Sequence, residues 1–460
     1  MRRPTVQRAM LDRIFKAYDV RGLVATELTE DVARAIGAAA AKILTGDDNG
    51  FVVGHDMRPT SRPLVEAFTE GVTSQGVDVI DVGLTSTDGL YFASGRLGHA
   101  GAMFTASHNP PEYNGIKLCR AGAQPVAIDS GLADIRDLVA GGEPTPSDRV
   151  GTVTRQDITA DFAEHVRGFV DVSSIKPVRV GIDAGNGMAG HVVPPVFEGL
   201  PFEVVPLYFE LDGTFPNHPA NPIEPANLVD LQELVRREGL PIGLAFDGDA
   251  DRMFAVDEKG NPVGSSLIGA VVADRLLRHH PGETILYNLI CSRTVPETVE
   301  AAGGTAVRTR VGHSFIKARM AETGAIFACE HSGHFYFRDN YRADSGLIAA
   351  LVLLEAVAET GKPLSEVVAP YDRYPQSGEI NFRVTDTAVA IDAVEEAMQS
   401  QARSRDRDDG LTMVLGDGWF NLRPSNTEPL LRLNTEGDDL ASMESIRDEV
   451  TATVRRHIEE

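Results

Sequence analysis

The sequence predicts an α/β protein built from successive similar units and closed by a smaller α+β unit. Three observations lead there. Apolar strands end in Gly- or Asp-containing turns and feed amphipathic helices. That grammar recurs with a period on the order of 100 residues, too long for a solenoid repeat. The C-terminal stretch abandons it for strand, helix, charged loop and strand.

In chain order, "DVARAIGAAAAKIL" reads as a helix capped by Thr29, with Glu30 and Asp31 in its first turn. "FVVGHD" (51–56) reads as a strand, followed by a helix that Ser61 is expected to cap and Gly76 to stop, and then by the strand "VDVIDVG". This is a βαβ unit and implies parallel pairing. "VRVGIDAGNGMAG" (178–190), "NLVDLQELVRREGL" with "PIGLAF", "TILYNLICS", and "SFIKARMAETG" with "AIFACE" repeat the alternation. The tail offers "SGEINFRV", a helix around 388–400, the charged loop "SRDRDDG" and "GWFNLRPSNTEPLLRL". Gly- and Pro-rich stretches at 141–151, 257–264 and 359–366 suggest linkers, and the expected units are 1–151, 152–258, 259–368 and 369–460. The length of 460 residues fits three or four domains at roughly 100–200 residues each.

The formal net charge of −24 argues against nucleic acid and anionic membranes as partners, and is also what plain solubility requires. An anionic small molecule is still compatible with it, provided a few cations converge in one cleft. Cys119, Cys291 and Cys329 form neither a disulfide framework nor a metal motif, so a reducing cytoplasm is expected. "MRRPTVQRAMLDRIF" lacks the apolar core of a secretory signal, and no apolar run is long enough to span a bilayer.

Four loops carry chemistry. In "MFTASHNPPEYNGIKL" (103–118) a strand ends at Ser107 and His108, Pro110 and Pro111 stiffen the loop, and Asn114–Gly115 is expected to turn the chain into the next strand, from which Lys117 points back. Ser, His, Asn and Pro are also ordinary turn residues. "AFDGDADR" puts Asp247, Asp249 and Asp251 at alternate positions after a strand, a costly crowd of carboxylates unless a cation such as Mg²⁺ or Ca²⁺ is held. A phosphatase with an Asp nucleophile competes for this motif, as does an acidic surface turn. An EF-hand is excluded because Arg252 stands where Gly is needed. "CEHSGHFYF" (329–337) offers Glu330, His331, Ser332 and His334, with Gly333 allowing close approach. Its spacing matches no zinc motif, and sugar hydroxyls suit these side chains. "RPSNTEP" (423–429) gathers Arg423, Ser425, Asn426 and Thr427 in a turn, with Arg432 beyond, and can be a phosphate nest or a plain β-turn.

Taken together, these motifs resemble the α-D-phosphohexomutase family, in its bacterial phosphomannomutase/phosphoglucomutase branch, over essentially the whole chain. "KAYDVRG" (16–22) looks like the N-terminal substrate loop, "TASHNP" the phosphoserine loop, "DGDADR" the Mg²⁺ loop, "VGHSFIK" (311–317) and "EHSGH" the sugar loops, and "RPSNTEP" the phosphate loop. The resemblance implies four domains in a heart shape, three similar α/β mixed-sheet domains and a smaller C-terminal one, around a central cleft. It implies a phosphoryl group on Ser107, and Mg²⁺ on Ser107, Asp247, Asp249 and Asp251. Arg21, Lys117 and Arg252 would supply positive charge, and His108 and His334 would be candidates for proton transfer. Tyr18, Gly312, His313, Glu330, His331, Ser332, Gly333, Arg423, Ser425, Asn426, Thr427 and Arg432 would join Arg252 in substrate binding. The implied reaction interconverts mannose or glucose 1- and 6-phosphates through a 1,6-bisphosphate, which also serves as activator, in a cytoplasmic monomer or weak homodimer.

Two positions depart from the pattern. Ile290 stands where many relatives carry Lys, and His331 where many carry Met or Gln. A phosphoglucosamine mutase is therefore the alternative within the family. A non-catalytic sugar-phosphate-binding protein is the alternative from another class, and retention of Ser107 and the three Asp argues against it.

Overall fold

The computed structural model describes residues 7–46, 50–142, 144–171, 173, 175–425 and 430–457. Arg2 and Arg3 of the N-terminal stretch, and Asn426 and Thr427 of the expected phosphate loop, lie outside them. Among the described residues the strands form four sheets, of seven, five, four and five strands in chain order.

The first sheet runs Val20–Leu23, Tyr113–Arg120, Ala100–Phe104, Gly50–His55, Asp78–Leu84 and Val153–Arg155, with Gln124–Pro125 beside Tyr113–Arg120. Gly50–His55 pairs parallel with both Asp78–Leu84 and Ala100–Phe104, as a βαβ unit requires, whereas Tyr113–Arg120 pairs antiparallel on both sides. The sheets are thus mixed. Strand Val153–Arg155 extends the first sheet past the expected break at 151, and Pro262–Val263 extends the second past 258.

Three local expectations change. Thr29 caps its helix by accepting from the Val32 amide, but Ser61 lies inside the first turn of Ser61–Ser74 and donates its hydroxyl to Asp56. Asn114–Gly115 is no turn, because both residues are paired within Tyr113–Arg120. Gly115 is needed there for packing: a Cβ would sit 2.6 Å from the Thr105 carbonyl oxygen and 2.7 Å from that of Val20. Within "SRDRDDG", Ser404–Asp406 is an edge strand rather than loop.

One apolar cluster runs through the first three units, joining Val52 and Phe92 to Phe246 and to Leu351 and Leu354. Its centre is the helix Gly346–Thr360, whose residues 346–358 are all buried. At about 1.5–3 kcal/mol per fully buried Leu or Val, this helix fuses the three units. The C-terminal unit keeps a separate core around Phe382, Met413, Phe420 and Val450. It meets the third unit through polar pairs instead, Arg293 with Glu436 and Arg308 with Asp406. No helix among the described residues is long and apolar enough to cross a membrane.

Candidate active site

Ser107 follows strand Ala100–Phe104 and takes a left-handed backbone, φ 49°. A non-glycine residue in that region carries strain that its surroundings must hold. The hold comes from a residue that the motif analysis passed over. Arg58, in the loop after Gly50–His55, donates through Nη2 to the carbonyl oxygens of Ser107 (2.9 Å) and Asn109 (2.7 Å), and through Nη1 to those of Pro110 (2.8 Å) and Tyr113 (3.0 Å). Its partner Asp56 lies 3.2 Å away, and both side chains are 0% exposed. The available signal was position: "HDMRP" follows the neighbouring strand at the same sheet edge as "TASHNP".

The Asp loop comes from the second unit. Gly248 lets it approach, since a Cβ there would lie 2.4 Å from the Ser107 carbonyl oxygen. Ser107 Oγ donates to Asp247 Oδ2 over 2.7 Å, and Arg252 Nε donates to the same oxygen over 2.8 Å. Lys117 Nζ reaches Asp249 Oδ2 at 2.7 Å and Asp251 Oδ2 at 2.6 Å, and the Thr87 hydroxyl donates to Asp249 over 2.6 Å. The ligand atoms of the three carboxylates lie within 4.8 Å of one another, and Asp249 Oδ1 and Asp251 Oδ1 are buried without a hydrogen-bond partner. Burial together with repulsion from Asp249 pushes the Asp251 carboxyl up to about 7. Burial would depress the Lys117 ammonium, but Asp249 and Asp251 override it and hold the group well above its ordinary value. Buried oxygens with unused acceptor capacity, crowded by negative charge, fit a hard divalent cation.

His108 Nδ1 sits 3.1 Å from Ser107 Oγ and accepts from Arg252 Nη2 over 2.5 Å. Burial, then Arg252 and Arg21, push this imidazole well below its ordinary range. Arg21 donates to Asn109 Oδ1 over 2.6 Å and so stands against the same loop. His334 arrives from the third unit, bridged to Arg252 along the backbone. Burial would lower its pKa, but Asp344 and Asp251 raise it.

A second group brings residues of the first and third units into contact. The Tyr18 ring packs edge-on to His313, with centroids 4.9 Å apart, and Gly312 must be glycine because a Cβ would meet the Tyr18 oxygen at 2.4 Å and its φ is 128°. Glu330 accepts from Tyr336 (2.5 Å), Asn288 (3.1 Å) and the Gly312 amide (3.2 Å). Burial pushes the Tyr18 hydroxyl up to about 12 and the His313 imidazole down to about 3. Gly333, at φ 87°, would strike the Phe254 ring at 2.8 Å if it bore a Cβ. Ser332 is half-buried beside it. His331 is also half-buried, its Nδ1 lacks a hydrogen-bond partner, and it senses the charges of Glu379 and Arg423.

In the C-terminal unit Arg423 and Arg432 converge on one carboxylate, Glu379, at 3.5 and 3.3 Å. Ser425 is half-buried near them, and its amide donates to the Leu430 carbonyl oxygen. The structure thus gathers Ser107, His108, Lys117, Arg21, the three Asp, Arg252 and His334 into one centre. It places the arginine pair as a separate cationic group on the fourth unit. A cavity of about 600 Å³ beside Phe92, His165, Phe169 and Tyr341 shares none of these residues.

The chain is similar to known proteins along almost its whole length. Family models described as phosphoglucomutase/phosphomannomutase alpha/beta/alpha domains I, II and III match residues 12–143, 160–260 and 265–374, and the C-terminal domain of the same family matches 379–453. Curated relatives include the phosphohexose mutases of Xanthomonas campestris pv. campestris, 41% identical over 449 residues, covering 96% of this chain and 99% of that protein. The phosphomannomutase of Escherichia coli K12 is 40% identical over 443 residues, covering 94% of this chain and 96% of its own. A crystal structure of a phosphoglucomutase/phosphomannomutase family protein from Burkholderia thailandensis superposes with a TM-score of 0.89 at 31% identity, covering 98% of each chain.

Proposed function

The chain belongs to the phosphoglucomutase/phosphomannomutase family and is a phosphohexose mutase, an isomerase, and we propose that it interconverts mannose or glucose 1- and 6-phosphates by way of a phosphoryl group on Ser107. One observation carries this reading. Ser107 Oγ, on a strained and clamped turn, lies 2.7 Å from Asp247 in a buried carboxylate triad, with Arg252 on the same oxygen.

Asp247, Asp249 and Asp251, with Ser107 beside them, would hold Mg²⁺, which when bound supplies charge neutralisation at the transferring phosphoryl group. Phosphoryl transfer asks little covalent chemistry of a protein and much positioning. Arg252 sets positive charge on the Asp247 oxygen that Ser107 also meets, and Lys117 sets it on Asp249 and Asp251. Arg21 holds the loop through Asn109, ready to meet a phosphate oxygen. Arg252 occupies the Nδ1 lone pair of His108, whereas His334, held through Nδ1 by Asp344, is the group we assign to proton exchange with the sugar oxygen.

The reaction needs both ends of one sugar to meet Ser107 in turn. Phosphoserine gives its phosphoryl group to the substrate hydroxyl, the bound 1,6-bisphosphate reorients, and its other phosphate returns to Ser107. Arg423 and Arg432 hold whichever phosphate is not reacting, with Tyr18, His313, Glu330, His331 and Ser332 around the sugar. Glucose or mannose 1,6-bisphosphate would restore an enzyme that has lost its phosphoryl group. Three free, buried cysteines are in keeping with a reducing cytoplasm.

The test is a side-by-side mutase assay on mannose, glucose and glucosamine phosphates with Mg²⁺ and bisphosphate, together with mass spectrometry. Phosphate is expected on Ser107, and Ser107→Ala should lower turnover by several orders of magnitude. A fully active enzyme with phosphate on Asp247, or with none on Ser107, would refute the proposal. Preference for glucosamine phosphate would correct the sugar but leave the chemistry standing.

A further inference from the structure

His334 is fixed from behind. Its Nδ1 lies 2.9 Å from Asp344 Oδ2, against 4.0 Å from the nearest oxygen of Asp251. Asp344 Oδ1 in turn forms an ion pair with Lys317 Nζ at 2.9 Å, and these side chains are 4% and 2% exposed. The Lys317 ammonium lies 3.9 Å from the centroid of the Tyr91 ring, which belongs to helix Thr87–Leu97 of the first unit. A line of contacts therefore runs from Tyr91 through Lys317 and Asp344 to His334.

The backbone also fixes Asp344. It is bridged to Tyr336, and it precedes Ser345, which caps the central helix Gly346–Thr360 and donates to Asp88 over 2.6 Å. The chain reaches Asp344 through two consecutive left-handed residues, Tyr341 (φ 55°) and Arg342 (φ 60°). Strain of this kind persists where the surroundings demand one conformation.

A neutral imidazole donates from one nitrogen and accepts at the other, whereas a carboxylate only accepts. Asp344 therefore selects the tautomer with hydrogen on Nδ1 and leaves Nε2 with its lone pair. We propose that Asp344 is a positioning residue, which fixes the tautomer and ring orientation of His334, with Lys317 as the counter-charge that keeps Asp344 in place. A catalytic imidazole oriented by a buried carboxylate is a recurrent solution to proton transfer. Here the carboxylate is itself anchored across a domain junction. The inference rests on the reading that His334 exchanges a proton with substrate.

The experiment compares His334→Gln, Asp344→Ala, Asp344→Asn and Asp344→Ala/His334→Gln for kcat, KM and melting temperature, with and without added formate. The His334→Gln change should lower kcat about 100-fold or more, within the usual range for general acid–base groups. Asp344→Ala should lower kcat by roughly ten- to a hundredfold with KM changed less than about threefold, and formate should restore part of it, as loss of an orienting partner requires. The double variant should be no slower than His334→Gln alone. Asp344→Asn, which keeps the side-chain shape, supplies the kinetic comparison should the Ala variant not fold, and should also lower kcat. Near wild-type turnover in His334→Gln would sink the reading of His334. A slow His334→Gln beside fully active Asp344 variants, or additive losses that formate does not touch, would overturn the positioning role alone.

Discussion

Arg58 holds the nucleophile loop in place from beneath, its guanidinium donating to the Ser107 carbonyl oxygen over 2.9 Å and to three further carbonyl oxygens of residues 109–113. The strain at Ser107 is balanced by this clamp, and the clamp is charge-balanced by Asp56 at 3.2 Å. Phe215 of the second unit lies 5.1 Å from the guanidinium, so the clamp is closed by a neighbouring unit.

Arg58→Met should therefore do two things at once. It leaves Asp56 buried without its cation, a loss of about 3–5 kcal/mol by analogy with broken buried pairs. It also frees the Ser107 loop, and turnover should fall roughly a hundredfold, as misplacement of reacting groups does. Denaturant unfolding and steady-state kinetics measure the two effects. A variant that loses stability but keeps full activity would mean the loop holds its own geometry.

Asp249→Asn leaves two of the three carboxylates and removes one partner of Lys117. Activity titrated against Mg²⁺ should shift to higher concentration, roughly tenfold or more, with lower maximal turnover. An unchanged titration curve would make these carboxylates structural.

Arg423→Ala should raise KM for 1-phosphate and 6-phosphate substrates alike, by at least about tenfold, because charge-assisted bonds of this kind contribute about 1.5–3 kcal/mol. The bisphosphate should also escape more often. With its own core and polar contacts to the third unit, the fourth unit is expected to hinge at residues 372–378 and to close over either orientation of the proposed bisphosphate. Small-angle scattering should show compaction with substrate, and less of it in the variant. An effect on one substrate only, or scattering indifferent to substrate, would contradict the clamp.

Asp88 links the first unit to the central helix by accepting from the Ser345 hydroxyl over 2.6 Å. Burial pushes its carboxyl up to about 7, against the lowering effect of its hydrogen bonds to Ser345 and Ser86. With the folded pKa above the unfolded one, the folded state binds the extra proton. The contribution is fully present below about pH 4 and is lost as pH rises toward about 7. In Asp88→Asn that part of the pH dependence should disappear, so the stability difference between variant and wild type should change across this window. Parallel curves from pH 4 to 7.5 would show that Asp88 titrates normally.

The sequence by itself determined the α/β units, the strand ends that carry Ser107, Asp247 and Glu330, and the acidic triad, whereas Arg423, expected in a turn, lies within strand Gly418–Pro424 opposite Arg432. These features are local: an apolar strand, the turn residues after it, and charges at fixed spacing are all written in adjacent positions. Thr29 was legible as a cap for the same reason. Arg58, Asp344 and Glu379 were not, since each gains its meaning from a partner that only folding brings beside it: Ser107 for Arg58, Lys317 and His334 for Asp344, Arg423 and Arg432 for Glu379. Gly115 was misjudged for a related reason. The sequence signals a turn at Asn-Gly, but the close approach of the Thr105 and Val20 carbonyls, which only the assembled sheet creates, made that glycine a packing requirement inside a strand. Only tertiary structure decided how charges were shared, because burial sets the energy of each charge and burial is a property of the packed units together.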